Sequence, residues 1–165
     1  MLPPINFKSW IEENRHLLKP PVGNKVVYED TEFIIMVVGG PNTRKDYHID
    51  EGEEFFYQLE GGMLLRIMKN GKREDIKINE GDIFLLPPKV PHSPQRFENT
   101  VGLVVERKRR KGELDAFQWY CDECNELLYE EFFQLTDIVK QLPPIFEGFW
   151  NNDAVRTCKC CSDYL

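Results

Sequence analysis

Two hydrophobic periods divide the chain. Near the N-terminus Phe7, Trp10, Ile11, Leu17 and Leu18 recur at helical spacing behind Asn6, a residue type that caps helices. Pro20, Pro21 and Gly23 are expected to end that helix. From Lys25 the period changes. KVVYED and EFIIMVV are β-branched and aromatic runs parted by Asp30-Thr31, and YHID, FFYQLEG, MLLRIMK, REDIKI, DIFLLP, QRFE and GLVVERKR follow at short intervals. Asn70-Gly71, between MLLRIMK and REDIKI, predicts a tight hairpin, because both residues tolerate the positive φ of a type I′ turn. Roughly eight or nine short strands with tight turns predict a mainly β fold, an antiparallel barrel or double sheet. Beyond Gly112, AFQWYC adds a last strand. An amphipathic helix is then expected from Glu126 to Leu142, with Leu127, Leu128, Phe132, Leu135, Ile138 and Val139 near helical spacing and Pro143-Pro144 as its stop.

Composition narrows the class. A length of 165 residues gives one domain with an ordinary core, and 11 phenylalanines suit a packed barrel. The net charge of -7 argues against a nucleic-acid surface. The basic run Arg107 to Lys111 has no interleaved aromatics and reads as a solvated turn. The longest apolar runs are too short to span a membrane, and MLPPINF lacks the pattern of a secretory signal, so the cytoplasm is the expected compartment.

Two sets of residues carry metal chemistry. His48, Glu54 and His92 supply two imidazoles and a carboxylate, a facial triad that holds Fe(II) and leaves positions open for substrate and dioxygen. The third histidine, His16, sits beside Arg15 on the N-terminal helix and reads as a surface residue. Cys121-x-x-Cys124 and Cys158-x-x-Cys161 are two CxxC halves, and four thiolates suit tetrahedral iron or zinc. Cys160 lies inside the second half and could replace either member. This second site staples the C-terminal segment to the barrel, because metal binding contributes folding free energy.

The clusters around His48 and His92, with Gly61, Gly81 and Pro87, resemble the cupin motifs. The departures are Asp50 in place of a second histidine, Lys89 in place of glycine and Arg96 in place of asparagine. Over nearly its full length the chain resembles the bacterial 3-hydroxyanthranilate 3,4-dioxygenases. Arg44, DYHIDEGEEFFYQLEG, LLPPKVPHSPQR, GLVVERKR and the two cysteine pairs carry that resemblance.

The resemblance implies a cupin, a double-stranded β-helix or jelly-roll-like barrel. Residues 1–165 would form one domain, with 116–165 as an extension bearing a rubredoxin-like site of Cys121, Cys124, Cys158 and Cys161. It also implies catalytic Fe(II) on His48, Glu54 and His92, a substrate carboxylate held by Arg44 and Arg96, Glu106 beside the amino and hydroxyl groups, and Asn24 at the pocket. The implied reaction is extradiol opening of 3-hydroxyanthranilate by dioxygen to 2-amino-3-carboxymuconate 6-semialdehyde, on the kynurenine route to quinolinate and NAD, in a homodimer. Chemistry independently favours Arg96, whose planar donors match a carboxylate and which shares a strand face with His92 if the segment is extended. A different metal-dependent cupin enzyme and a non-catalytic cupin that binds a small carboxylate remain as alternatives.

Overall fold

Asn6 caps the first helix as its side chain predicts, accepting a hydrogen bond from the Ser9 N–H at 2.9 Å. The computed structural model describes residues 3–20, 23–136 and 138–165. Helix α1 spans Phe7–Asn14 and tightens into a 3-10 turn over Arg15–Leu17. Of the residues expected to stop it, Pro21 lies outside the described ones.

Among the described residues eleven strands follow: β1 (Asn24–Val26), β2 (Phe33–Gly39), β3 (Asp46–Ile49), β4 (Glu54–Glu60), β5 (Met63–Lys69), β6 (Lys72–Ile78), β7 (Ile83–Leu86), β8 (His92–Arg96), β9 (Val101–Arg107), β10 (Asp115–Tyr120) and β11 (Leu127–Phe133). They pair antiparallel in two sheets, one ordered β1-β2-β9-β4-β7 and the other β11-β10-β3-β8-β5-β6. The β5–β6 hairpin turns on Asn70 (φ 53°) and Gly71 (φ 71°), as a type I′ turn requires.

The two sheets close over Phe56, Met63, Leu65, Ile67, Ile78, Leu86 and Val104. Alternation along each strand sends these residues inward and leaves the polar set outside. Helix α1 covers part of the outer face of the five-stranded sheet, packing Ile11 with Leu18, Val37 and Val101. Arg15 ties it there through two hydrogen bonds to Glu60, at 2.8 and 2.9 Å.

The C-terminal segment departs from the expected helix over Glu126 to Leu142. Residues Leu127–Phe133 form β11, and helix α2 runs over Ile138–Trp150, straight through Pro143 and Pro144, before the short α3 (Asp153–Arg156). The side chains of Ile138 and Val139 lie outside the described residues. Along β11 the period is two. Tyr129 meets Trp119 and Phe133 stacks on Phe117, with centroids 5.7 and 5.6 Å apart. The prolines cost α2 about 3 kcal/mol or more each in an isolated helix. Here Ile145, Phe146 and Phe149 pack on the aromatic face of β10, where Trp119 and Phe149 stack at 4.6 Å and are fully buried, and that packing offsets the penalty. Among the described residues no helix is long and apolar enough to cross a membrane.

Candidate metal centres and active site

Strands β3 and β8 lie side by side, and their register sets His48 directly opposite His92. Both rings face the interior, with centroids 5.3 Å apart. Glu54, the first residue of β4, approaches them from the other sheet. One ligand-capable atom from each of the three lies within 4.8 Å of the others. The Glu54 Oε2 and His92 Nε2 atoms are 2.8 Å apart, and Glu54 Oε2 has no hydrogen-bond partner among the described residues. A buried carboxylate oxygen and two ring nitrogens that converge on one point fit a cation held between them.

Electrostatics support the same fit. Burial pushes the His48 pKa down, towards the neutral imidazole that a metal needs, although Asp115 pulls the other way. Burial would raise Glu54, but the attraction of His92, His48 and Arg44 takes it down to about 2. Burial likewise opposes a proton on His92, and the Glu54 carboxylate outweighs it and moves His92 up. A metal cation would replace that proton.

Around the triad lies a cavity of about 230 Å³, small enough for one substituted ring. Its apolar walls include Met36, Val38, Phe56, Phe117, Phe133 and Phe146, and its polar rim includes Asn24, Arg44, Arg96 and Glu106. Each sequence-derived pocket residue is therefore brought to one space. Arg96 lies on the same face of β8 as His92 and is 4% exposed. Its Nη1 has no hydrogen-bond partner among the described residues. Burial takes Arg96 down to about 10, with Glu54 opposing and Arg44 adding to the shift. Glu106, opposite Glu54 in the β4–β9 register, is pushed up to about 8 by burial, against the pull of Arg109 and with the help of Glu54 and Asp50.

The sequence did not point to three residues here. Arg109 belongs to the run expected to be a solvated turn, yet its side chain is 4% exposed. It donates to Asp115 through Nε at 2.8 Å and Nη2 at 2.6 Å, and lies 3.0 Å from Glu106 and 3.3 Å from Asp50. Asp115, at the start of β10, is fully buried and 2.7 Å from His48 Nε2. Asn42 clamps β8, accepting from the Arg96 N–H at 3.0 Å and donating to the Pro94 carbonyl at 2.9 Å. Asp50, where cupin motifs usually have histidine, lies outside the triad cluster. It accepts from the Gly52 N–H at 2.9 Å.

Strand β10 leads from Asp115 to Tyr120, and Cys121 follows at once. The sulfurs of Cys121, Cys124, Cys158 and Cys161 cluster, with Cys121–Cys161 and Cys124–Cys158 both at 3.5 Å and Cys124–Cys161 at 3.7 Å. Four thiolates about 2.3 Å from a tetrahedral ion stand about 3.8 Å apart, so the set is close to metal-binding size. The N–H groups of Cys161 and Cys160 draw the Cys158 thiol down to about 7 against the effect of burial. Cys160 itself is exposed and outside the cluster.

The two-sheet fold and the His-Glu-His cluster define a metal-binding cupin. Two solved structures share the fold: a cupin-2 domain protein from Shewanella frigidimarina (TM-score 0.50, 18% identity, 62% of this chain and 93% of that one) and a protein from Neisseria meningitidis (TM-score 0.51, 17%, 64% and 99%). Sequence goes further: a family model described as 3-hydroxyanthranilic acid dioxygenase matches residues 1–150, and the chain belongs to that family. Curated relatives named 3-hydroxyanthranilate 3,4-dioxygenase include one from Xanthomonas euvesicatoria, 57% identical over 98% of this chain and 91% of its own. Others come from Jannaschia sp. (54%, 96% and 89%) and Bacillus cereus (51%, 98% and 90%).

Proposed function

We propose that this chain opens the ring of 3-hydroxyanthranilate with dioxygen at Fe(II) held by His48, Glu54 and His92, giving 2-amino-3-carboxymuconate 6-semialdehyde. The observation that carries the substrate choice is the buried, unpartnered Nη1 of Arg96. The acids around it are already engaged: Asp46 with Arg44, Glu54 in the ligand cluster with His48 and His92, and Glu106, Asp50 and Asp115 with Arg109. A buried guanidinium with a free donor calls for an anion from outside, and a ring-borne carboxylate matches its planar donors.

In this reading Arg96 and Arg44 hold the carboxylate and so set which ring edge meets the metal. The apolar walls grip the ring faces and exclude water. Bound Fe(II) would supply the electronic coupling that dioxygen and a closed-shell ring lack. Glu106, poised near 8, exchanges a proton with the substrate's hydroxyl or amino side as the ring opens. Asn24 stands at the rim, where it can donate to or accept from an entering ligand.

The four cysteines Cys121, Cys124, Cys158 and Cys161 would hold a second iron or zinc with a structural role. Residues 1–165 are best described as one cupin domain, in which 116–165 is an extension whose first strand belongs to the six-stranded sheet. A thiolate site with five free cysteines suits the reducing cytoplasm. A homodimer would cover the outer face of the five-stranded sheet, where Phe33, Ile83 and Leu85 stand exposed near Phe55 and Val105.

The test is oxygen uptake by Fe(II)-loaded protein on addition of 3-hydroxyanthranilate. Equimolar consumption of dioxygen and substrate is expected. Tight binding of the acid with no uptake would overturn the reading in favour of a non-catalytic carboxylate-binding cupin.

A further inference from the structure

We propose that Asp115 and Arg109 are positioning residues of the triad centre, a pair that fixes the His48 ring and the Glu106 carboxyl at once. The inference rests on the reading of His48, Glu54 and His92 as metal ligands.

The argument begins with burial. Asp115 is fully buried, and a carboxylate in such a place is held only by close partners. It has two. One is the Nε2 of His48 at 2.7 Å. The other is Arg109, which grips both carboxylate oxygens at 2.6 and 2.8 Å. The fork leaves Asp115 one orientation, and Asp115 in turn leaves the His48 ring one orientation. A metal-bound imidazole commonly gives its other ring nitrogen to a carboxylate, which fixes tautomer and ring angle and strengthens the ligand.

Arg109 reaches further. Its Nη1 lies 3.0 Å from Glu106 on β9, in the five-stranded sheet, whereas Asp115 on β10 belongs to the six-stranded sheet. Its Nη2 also lies 3.3 Å from Asp50, just after β3. One guanidinium therefore spans both sheets and ties the partner of a metal ligand to the acid that faces substrate. A surface salt bridge would do none of this, and Arg109 and Asp115 are both buried. Neither residue need touch the reacting atoms. Each acts through a neighbour.

Co(II) tests the proposal without turnover. Metal-free, reduced protein is titrated with Co(II) and followed by absorption. Thiolate ligands give intense charge-transfer bands, and the triad gives weak ligand-field bands, so the cysteine site reports on folding in the same sample. In Asp115→Asn the thiolate bands should persist while Co(II) affinity at the triad falls about 10- to 100-fold and its ligand-field bands shift. Arg109→Lys keeps the buried charge but loses the fork, and should weaken the triad by about tenfold. It supplies the reading if Asp115→Asn does not fold. With iron and substrate, Asp115→Asn should lower kcat at nearly unchanged KM, because Arg44 and Arg96 are untouched, whereas Arg109→Lys also loosens Glu106 and should move both. Unaltered triad affinity and bands in a folded variant would overturn the proposal. Absence of ligand-field bands in the parent protein would instead overturn the ligand assignment.

Discussion

Gly102 and Arg96 share one space across the two sheets. A Cβ on Gly102 would lie 2.6 Å from Nη1 of Arg96, 3.4 Å from its Cζ and 2.9 Å from Oε1 of Gln58. Arg96 is buried, so its guanidinium cannot simply swing into solvent. Gly102→Ala should therefore tilt the guanidinium, raise KM for the acid by about tenfold and leave triad metal in place. Steady-state kinetics beside metal analysis decide it. An unchanged KM would mean that the Arg96 position does not control binding.

Arg96→Lys keeps the charge and loses the planar fork. Affinity for the carboxylate substrate should fall about tenfold or more, and further in Arg96→Ala, because charge-assisted hydrogen bonds contribute on the order of 1.5–3 kcal/mol. Anaerobic titration of iron-loaded protein with substrate measures this directly. Equal affinity in parent and Arg96→Ala would remove the carboxylate clamp.

Replacing His48, Glu54 or His92 by alanine should cost the triad its metal and the protein its oxygen uptake, with the β-sandwich kept. Three protein ligands are the minimum for such a site. Metal content should fall from two ions per chain to one, the remainder being held by the four cysteines. A folded variant with full metal load and turnover would exclude that residue as a ligand.

Cys124→Ser should reduce thermal stability and second-site metal while sparing turnover in protein that stays folded. Phe133, Leu135, Leu142 and Phe146 line the cavity from the C-terminal segment, so inactivation on heating should begin at a lower temperature than in the parent protein. Thermal inactivation curves at matched triad iron provide the comparison. Full triad iron without turnover at low temperature would show that the second site does more than staple.

Lys89 adopts φ 63°, a left-handed conformation that suits glycine. Its side chain is 65% exposed and its Nζ lies 3.0 Å from Glu51, a pair of little worth in water. Lys89→Gly should stabilise the fold by about 0.5–1 kcal/mol, the strain relieved being offset in part by added chain entropy. Urea unfolding at equal slope measures it, and a loss of stability would contradict the strain argument.

Much of the fold was legible because it is written locally. Asn6 caps its helix, Asn70-Gly71 turns its hairpin, and the period-two runs became strands. The triad, both arginines, Glu106 and the four thiols also gather where spacing and resemblance pointed. Three things were not local. The run from Leu127 to Leu135 contains apolar residues compatible with either period, and the aromatic face of β10 chose the strand. Helix α2 survives its prolines for the same reason. Arg109 looked solvated because its neighbours in sequence are basic. The acid that makes its burial possible from furthest away, Asp50, lies near β3.

Strand β10 sets Asp115 against the triad at one end and hands over to Cys121 at the other. Six residues of extended chain make a spacer of about 20 Å that cannot stretch. A single residue inserted between Asp115 and Trp119, ahead of the irregularity at Trp119/Tyr120, would turn Trp119 to the opposite side of the sheet, and would drag either Asp115 from His48 or Cys121 from its fellow sulfurs. Length is thus fixed along the strand and also in the Cys121-x-x-Cys124 turn that follows it, because both metal clusters hang on the same stretch of chain.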